Sequence, residues 1–327
     1  QIVLEVQTPL VSLLAKNWPN VRVIQSMEGL ARKYDHKIDC RCPIMSLPKI
    51  FNIDEDSITG ADGYIQAPDE YIKKWNEKLG PKNHKFRVGI SWSGRSSHNN
   101  DHNRSICLED FKKIFCEGIE FHSLQVDYRD GDKEYISQQK SFFDHSNDIS
   151  DFSDTAGLME NLDLIIAVDT SVAHLAGAIG KSVWILLPSW PDWRWMSNRC
   201  DTPWYSTARL FRQRYEDFDN KHPWLSVLER VREQLLRLRP STVAIKPNLN
   251  LSSQKQKPGT EYVEKLLQSF KDVDNTDLAK VLKKIIHCFH DGNLGLAKDL
   301  SEDALGSFPK NTWLLTLLGY VCFELKE

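Results

Sequence analysis

The chain has 327 residues, of which 41% are hydrophobic and 27% are charged, and its formal net charge is −3. This length allows two domains and a small appendage, and the near-neutral charge excludes the basic surface that broad nucleic-acid binding requires. No apolar run approaches the roughly 20 residues of a membrane span, no signal peptide is visible, and the scattered cysteines favour reduced thiols, so we expect a cytoplasmic protein.

The first part of the chain, residues 1–80, predicts alternating strands and helices. Strands are predicted at Ile2–Val6 and Val21–Gln25 with a helix between them, and "PDEYIKKWNEKLG" predicts a helix that ends at Gly80. The chain opens with Gln1 in a strand-like segment and ends within a helical pattern, so we interpret it as a piece of a longer protein. Residues 1–80 then form the remnant of an α/β domain.

From Phe86 onward, short apolar runs alternate with helical segments. Strands are predicted in "FRVGISW", "IEFHSLQ", "LDLIIAVD", "SVWILLP" and "ARLFRQ". Helices are predicted in "LEDFKKIFCEG", "DKEYISQQKSFF", "SDTAGLMEN", "TSVAHLAGAIG" and "PWLSVLERVREQLLRL". This alternation is typical of a doubly wound parallel sheet with helices on both faces. We therefore place a second α/β domain at residues 81–238.

The remaining residues predict a linker and a helical tail. Residues 239–259 are polar and aperiodic, which indicates a linker, and helices are predicted at about 260–271, 276–290, 293–306 and 311–325. The stretch "DGNLGLAKDLSEDALGSFPKNTWLLTLLGYVCFE" resembles one tetratricopeptide repeat, with Ala297 and Ala304 at the helix contact. A repeat buries its apolar face against neighbours, so we expect further repeats beyond Glu327.

One stretch, "LIIAVDTSVAHLAGA", puts four polar residues where a buried strand becomes a helix. Asp169, Thr170 and Ser171 follow the strand, and His174 lies on the same side of the first helical turn as Thr170. Ligands of open α/β sheets bind beyond the carboxyl ends of the strands, and a helix N-terminus offers N–H groups and partial positive charge to a phosphate. A plain helix N-cap beside a structural histidine is the alternative that the local pattern leaves open.

A second candidate is the loop in "VGISWSGRSSHNNDHNRSI", which follows another strand of the same predicted sheet. The strand ends at Trp92, and Gly94 permits a tight turn. Arg95 or Arg104 can pair with a diphosphate, and Arg104 is favoured because it precedes the helix. The alternative is a solvated surface loop.

A third candidate is the loop in "LLPSWPDWRWMSNRC", which carries Trp193 and Arg194 among three tryptophans. It forms either a stacking wall for a base or sugar or a satellite core, and we favour the wall. Asp217 and Asp219 match a metal-binding Asp-x-Asp pattern. Such short patterns are common by chance, so no metal site is expected.

These segments resemble a known family. "SDTAGLMENLDLIIAVDTSVAHLAGAIGKSVWILLP" resembles the carboxyl-terminal domain of glycosyltransferase family 9, the heptosyltransferase-like enzymes, and in particular bacterial proteins that join this domain to tetratricopeptide repeats. "VGISWSG", "NDHNRSI", "FHSLQ", "PDWRW" and "PWYSTARLFRQ" are similar to the same group. The resemblance implies a GT-B architecture of two Rossmann-like domains: an acceptor-side domain, truncated here to residues 1–80, and a nucleotide-sugar-binding domain at residues 81–238.

The resemblance also implies an activity: an inverting, metal-independent transfer of a hexosyl or heptosyl group from a nucleotide-diphosphate sugar to a protein or glycan acceptor, with no cofactor. Asp169 would accept hydrogen bonds from sugar hydroxyls, and Thr170, Ser171 and the helix N-terminus would hold phosphate oxygens as charge builds on the leaving group. The expected partners are the donor and an acceptor recruited by the repeats, without nucleic acid and without a membrane span. The residues predicted to bind the donor are Asp169, Thr170, Ser171, His174, Arg104, Arg95, Trp92, Gly94, Gln125, Trp193 and Arg194.

The sequence departs from the family pattern in places. The heptosyltransferase branch uses a lysine in the loop where this chain has Arg95 and Arg104, and a small residue, often Gly, where this chain has Ser171. The family's catalytic base lies on an early loop that we expect to precede Gln1, so the catalytic residue is unassigned and this piece is expected to bind the donor weakly or not at all. The rival interpretations are a repeat-based interaction protein whose transferase-like domain is inactive or only binds a ligand, and an epimerase of the same architecture.

Overall fold

The computed structural model describes residues 2–26, 38–54, 57–58, 60, 62–82, 85–137, 139, 141–197, 199–214, 222–238, 281, 284–285, 288 and 294–307. The chain forms two compact units, Gln1–Asn248 and Leu249–Glu327, and both β-sheets lie in the first unit. The division of that unit into lobes at residues 1–80 and 81–238, the linker at 239–259 and the repeats at 260–327 stay predictions.

Among the described residues, eight strands form two parallel sheets. A two-stranded sheet pairs β1 with β2, in register from Ile2 opposite Val21 to Val6 opposite Gln25, and these bounds match the prediction. A six-stranded sheet has the order β5-β4-β3-β6-β7-β8, and all its pairings are parallel. The strands are β1 Ile2–Val6, β2 Val21–Gln25, β3 Phe86–Ser91, β4 Ile119–Ser123, β5 Phe142–Phe143, β6 Leu164–Val168, β7 Val183–Leu187 and β8 Ala208–Arg212.

Helices connect most of these strands. Among the described residues they are α1 Val11–Asn17, α2 Leu47–Ile50, α3 Asp69–Leu79, α4 Asp101–Arg104, α5 Leu108–Phe111, α6 Asp132–Ser137, α7 Phe152–Glu160, α8 Ser171–Ala178, α9 Leu225–Leu238 and α10 Leu294–Ser307. Helix α3 ends as predicted, with Gly80 at its C-cap and a φ of 64° that favours glycine. Short 3-10 turns occur at Thr8–Leu10, Ile44–Ser46, Lys112–Ile114 and Trp193–Trp195.

The structure corrects the predicted helix in "DKEYISQQKSFF". Helix α6 ends at Ser137, and Phe142–Phe143 form strand β5 instead. This strand pairs with β4, where Phe142 lies opposite Phe121, and the pairing supplies backbone hydrogen bonds and aromatic packing that a short amphipathic helix lacks. Contact with a strand distant in sequence therefore decided the conformation of this segment.

The strand order creates a switch point between β3 and β6. The chain runs outward from β3 through β4 to β5, then returns to β6 and runs the other way through β7 to β8. At such a point two neighbouring strands lead into loops on opposite faces, which leaves a crevice beyond their carboxyl ends. The loops after β3 and β6 are the first two of the three candidates that the sequence singled out.

Alternate residues of the sheet pack into two separate cores. In β6, Leu164, Ile166 and Val168 belong to a core with residues of α5, α6 and α9, whereas Ile165 and Ala167 belong to a core with residues of α3, α7 and α8. All five side chains are fully buried. Strand side chains point alternately to opposite faces, so a continuous apolar run is what a sheet covered on both faces requires.

Helices α3 and α7 approach each other closely. A Cβ added at Gly157 of α7 would lie 2.6 Å from Tyr71 Cβ and 2.7 Å from its backbone carbonyl carbon. The absence of a side chain at Gly157 lets α3 pack tightly on α7, with Trp75 fully buried in the same core. Helix α3 is thereby joined to the six-stranded sheet.

In the second unit, α10 matches the helix predicted at 293–306. Ala297 and Ala304 are buried, as the repeat pattern requires of contact positions. The predicted helices at 260–271 and 311–325 lie outside the described residues, and the repeat assignment stays a prediction. Across the described residues, no helix has both the length and the apolar character that crossing a bilayer would require.

Candidate functional site

The carboxyl ends of β3 and β6 bring the first two predicted loops together. Ser91 of β3 pairs with Ala167 of β6, so the segments that follow both strands leave the same edge of the sheet side by side. Asp169 and the N-cap residue Thr170 lead from β6 into α8. The site is therefore built at the switch point, where the sheet opens.

Arg104 links the two loops. Its Nη1 donates a hydrogen bond to the Asp169 backbone carbonyl at 2.9 Å, across 65 residues of sequence. The guanidinium lies against Gly94, where an added Cβ would come within 2.6 Å of Nη2. Asp101 Oδ1 lies 3.8 Å from Arg104 Nε, and Nε itself is buried with no hydrogen-bond partner among the described residues. A glycine and an acid thus hold a positive charge between the ends of β3 and β6.

His174 and Asp169 face each other across the first turn of α8. His174 Nε2 lies 3.9 Å from Asp169 Oδ1, and His174 Nδ1 lies 2.9 Å from the hydroxyl oxygen of Tyr205. The imidazole stacks on Trp195 at 4.9 Å between ring centroids, with 18° between the planes. The histidine is half-buried, and the acid is more deeply buried.

Burial shifts both of these titratable groups toward their neutral forms. It raises the pKa of Asp169, while the Trp195 indole and the charge of Arg104 oppose the rise. It also lowers the pKa of His174, so the imidazole is neutral near pH 7, with one N–H donor and one acceptor nitrogen. A buried acid beside a neutral histidine suits the recognition of hydroxyl groups.

The N-termini of α7 and α8 differ in their capping. Asp151 caps α7 by accepting hydrogen bonds from the Ser153 and Asp154 N–H groups at 2.8 and 3.1 Å. In α8 the Thr170 hydroxyl instead donates to the Val168 carbonyl oxygen at 3.3 Å, and, within the described part of the chain, the Thr170 side chain makes no capping bond. Thr170 therefore occupies the N-cap position without capping the helix through its side chain, and the interpretation as an N-cap beside a structural histidine stays open because His174 contacts Tyr205. The first N–H groups of α8 lie just past the carboxyl end of β6, where they can donate to a ligand. Thr170 is buried, and the next residue in the chain, Ser171, is exposed.

The tryptophan-rich loop carries one buried and one exposed tryptophan, and its role as a stacking wall stays a prediction. Trp195 is fully buried against His174, whereas Trp193 is exposed by 56%. The Arg194 guanidinium lies 4.6 Å from the centre of the Trp193 ring and donates to Asp192 Oδ1 at 2.8 Å. The Arg194 guanidinium thus packs on the Trp193 ring while its charge is paired with Asp192.

The other predicted residues either stabilise the loop after β3 or have side chains that lie away from the candidate site. Trp92 is fully buried in the core, where its Nε1 donates to Asp132 Oδ2 at 3.1 Å, so the structure does not bring its side chain to a ligand. Gln125 is buried and bonds both the backbone and the hydroxyl of Ser93, which fixes the loop after β3. Arg95 is exposed on that loop.

Sequence reasoning missed Tyr205 and the contact of Trp195 with His174. Both depend on tertiary packing, and the one local sign was the aromatic run "PWY" that contains Tyr205. Across the described residues, no three His, Cys, Asp or Glu side chains converge as metal ligands would. Asp217 and Asp219 lie outside those residues.

Fold and site together define a doubly wound parallel α/β protein with a cluster of polar side chains, the candidate site, at the switch point of its sheet. No protein-family model matches the chain, and no curated protein sequence matches it. Solved structures do show similarities. A glycosyl transferase family 9 protein from Veillonella parvula DSM 2008 is 13% identical, with a TM-score of 0.49, over 73% of this chain and 88% of its own.

Two further structures are similar over comparable stretches. The ADP-heptose lps heptosyltransferase II of E. coli is 12% identical, with a TM-score of 0.46, over 72% of this chain and 90% of its own. The wall teichoic acid polymerase TagF is 13% identical, with a TM-score of 0.29, over 69% of this chain and 48% of its own.

Proposed function

We propose that this chain binds a nucleotide-diphosphate sugar and forms part of a GT-B glycosyltransferase. One observation carries the proposal: at the switch point of the sheet, the Arg104 guanidinium bonds the Asp169 backbone carbonyl, His174 faces the Asp169 carboxylate, and α8 begins two residues later. The motif resemblance around Asp169 to glycosyltransferase family 9 supports the same assignment.

The diphosphate is assigned to the positive part of the site. Backbone N–H groups at the start of α8 and the Arg104 guanidinium donate to phosphate oxygens, because both sit at the edge where β3 and β6 end. The exposed hydroxyl of Ser171 adds a further donor. As the sugar–phosphate bond breaks, negative charge grows on the leaving diphosphate, and these donors bind the transition state more strongly than the ground state.

The sugar and the base are assigned to the remaining groups. Asp169 accepts hydrogen bonds from sugar hydroxyls, and the Trp193–Arg194 pair offers a stacking surface to the base. Positive charge from Arg104 and α8 takes the role that a divalent cation has in other transferases, which favours a metal-independent reaction. The helical tail recruits an acceptor on a protein or glycan. Its hydroxyl attacks the anomeric carbon opposite the diphosphate and gives its proton to a base that is unassigned in this chain, while the sugar–phosphate bond breaks, so the configuration inverts.

Ligand titrations test the proposal directly. ADP, UDP, GDP and CDP, each with and without an attached hexose, are titrated into the chain by calorimetry, and thermal shifts are recorded in parallel, since a ligand that binds the folded state raises the melting temperature. We expect at least one nucleotide sugar to bind, and to bind weakly, because the donor-side residues lie in this chain whereas the acceptor-side domain is expected to be truncated. Asp169→Asn should lower the affinity for the nucleotide sugar by about 10- to 100-fold, because a hydrogen bond to a charged group is lost. The affinity for the free nucleotide should fall less.

Asp130→Asn is the matched control, since it removes the same charge from an exposed loop. It should leave both affinities unchanged. If no nucleotide or nucleotide sugar binds, the enzyme proposal fails and the interaction-protein interpretation gains. If Asp169→Asn acts equally on nucleotide and conjugate, Asp169 does not contact the sugar.

A further inference from the structure

The two ring nitrogens of His174 have different environments. Nδ1 faces inward and lies 2.9 Å from the Tyr205 hydroxyl oxygen. Nε2 faces the candidate site, 3.9 Å from Asp169 Oδ1. Trp195 stacks on one face of the imidazole and restricts its rotation. The position of the single proton on the neutral ring therefore decides whether the site-facing nitrogen donates or accepts.

Tyr205 packs in the space that a glycine of α8, Gly177, leaves free. Its ring packs against Gly177, where an added Cβ would lie 2.3 Å from Tyr205 Cγ. Gly177 lies three residues after His174 on the same side of the helix. Because the glycine has no side chain, the Tyr205 phenol can pass over it and contact the histidine. Tyr205 is buried, and burial raises the pKa of its hydroxyl, which stays protonated and able to donate.

We propose that Tyr205 is a positioning residue that holds His174 in the tautomer protonated at Nε2, so that this N–H is presented to the ligand beside Asp169. A neutral imidazole that accepts from Tyr205 at Nδ1 must carry its proton on Nε2. The reverse arrangement has His174 donate to Tyr205 and Tyr205 donate toward the neighbouring Tyr64 hydroxyl. It would turn the Nε2 lone pair toward the Asp169 carboxylate, which is repulsive.

The tautomer of His174 does not depend on the proposed function, and only the identity of the group that accepts from its N–H rests on it. Next to Asp169, an Nε2–H can donate to a phosphate oxygen or a sugar ring oxygen, neither of which carries a hydrogen to donate to an Nε2 lone pair. Asp192 and Arg194 also act on the imidazole through their charges, with opposite effects. These charges act without the direction that a hydrogen bond has, so the choice of tautomer falls to Tyr205 at Nδ1 and to the Asp169 carboxylate near Nε2.

Nitrogen NMR of the chain with ¹⁵N-labelled histidine measures the tautomer without any ligand. Ten histidines are present, and the spectrum of His174→Gln identifies the signals of His174 by their loss. We expect Nδ1 to show the shift of an unprotonated acceptor and Nε2 that of a protonated donor. A proton found on Nδ1 in the unmodified chain overturns the proposal, whether or not any variant folds.

Tyr205→Phe removes the hydroxyl and keeps the ring packed against Gly177. The His174 signals should move toward the averaged shifts of a free imidazole, and affinity for the tightest of ADP, UDP, GDP and CDP should fall by roughly threefold to tenfold, the loss of one neutral hydrogen bond. Tyr128→Phe is the matched control, because it removes a half-buried hydroxyl that bonds Ser123 and Asp144, not His174. Unchanged His174 shifts in Tyr205→Phe refute the positioning role.

Two substitutions of His174 test whether a hydrogen-bond donor at the position of Nε2 contributes to binding. His174→Gln keeps an N–H near the position of Nε2, whereas His174→Asn reaches only the position of Nδ1, so the glutamine variant should bind the nucleotide more tightly. Equal affinities count against an Nε2–H donor. If the tautomer is as expected but no nucleotide binds, the proposed function fails and the role of Tyr205 stands.

Discussion

Replacing Gly94 by alanine displaces the Arg104 guanidinium without changing the charge of the site. A Cβ at residue 94 would lie 2.6 Å from Arg104 Nη2 and 2.9 Å from its Cζ and Nε. These atoms are the far end of a flexible side chain, so the guanidinium moves and the backbone stays in place. The 2.9 Å hydrogen bond from Nη1 to the Asp169 carbonyl is then lost.

The size of the effect follows from the charge of the donor. A hydrogen bond from a charged group contributes about 1.5–3 kcal/mol. If Arg104 contacts the diphosphate, Gly94→Ala weakens nucleoside diphosphate binding by about 10- to 100-fold in Kd. The free energy of unfolding should fall by no more than about 2 kcal/mol, because water can solvate the displaced guanidinium at the sheet edge.

Calorimetric titration with the tightest of ADP, UDP, GDP and CDP measures the change in affinity, and urea unfolding measures the change in stability. Gly306→Ala is the control, because nothing lies within 4 Å of a Cβ added there, and it should leave affinity unchanged. A Gly94→Ala chain that binds as tightly as the unmodified protein would refute the assignment of Arg104 to the phosphate.

Two further predictions concern stability. Gly157→Ala gains about 1 kcal/mol of helix propensity, but its Cβ would overlap Tyr71 of α3, and overpacking of about 1–3 kcal/mol should give a lower urea midpoint; a higher midpoint would contradict the close packing of α3 on α7. Burial lowers the pKa of His122 to about 3 and of His145 to about 4, from 6.5. Below pH 6.5 the unfolded chain therefore binds protons at these two histidines that the folded chain does not. The free energy of unfolding is then highest above pH 6.5 and falls on acidification, by up to about 1.4 kcal/mol per pH unit for each histidine. Urea unfolding from neutral pH to about pH 5 should show a shallower slope for the double variant His122→Gln/His145→Gln, and equal slopes would exclude these histidines as the cause.

The candidate site shows how far local patterns reach. Asp169 and Arg104 were both singled out from the sequence, because each lies where a predicted strand gives way to a helix, and the structure joins them by a hydrogen bond. Trp92 follows the same kind of strand, yet its side chain turns into the core. Whether the residue just after a strand faces a ligand or the interior depends on the helices that cover it, which periodicity does not reveal.

The chain's own pattern determined the parallel architecture. A strand buried on both faces must be apolar at every position, as Leu164–Val168 is, and a helix between such strands must carry an apolar side, so alternation alone predicts the doubly wound sheet. Only the tertiary structure decided that Phe142–Phe143 become a strand and that Tyr205 meets His174. These outcomes depend on contacts between residues more than 20 positions apart, whose free energies exceed local preferences and leave no periodic trace in the sequence.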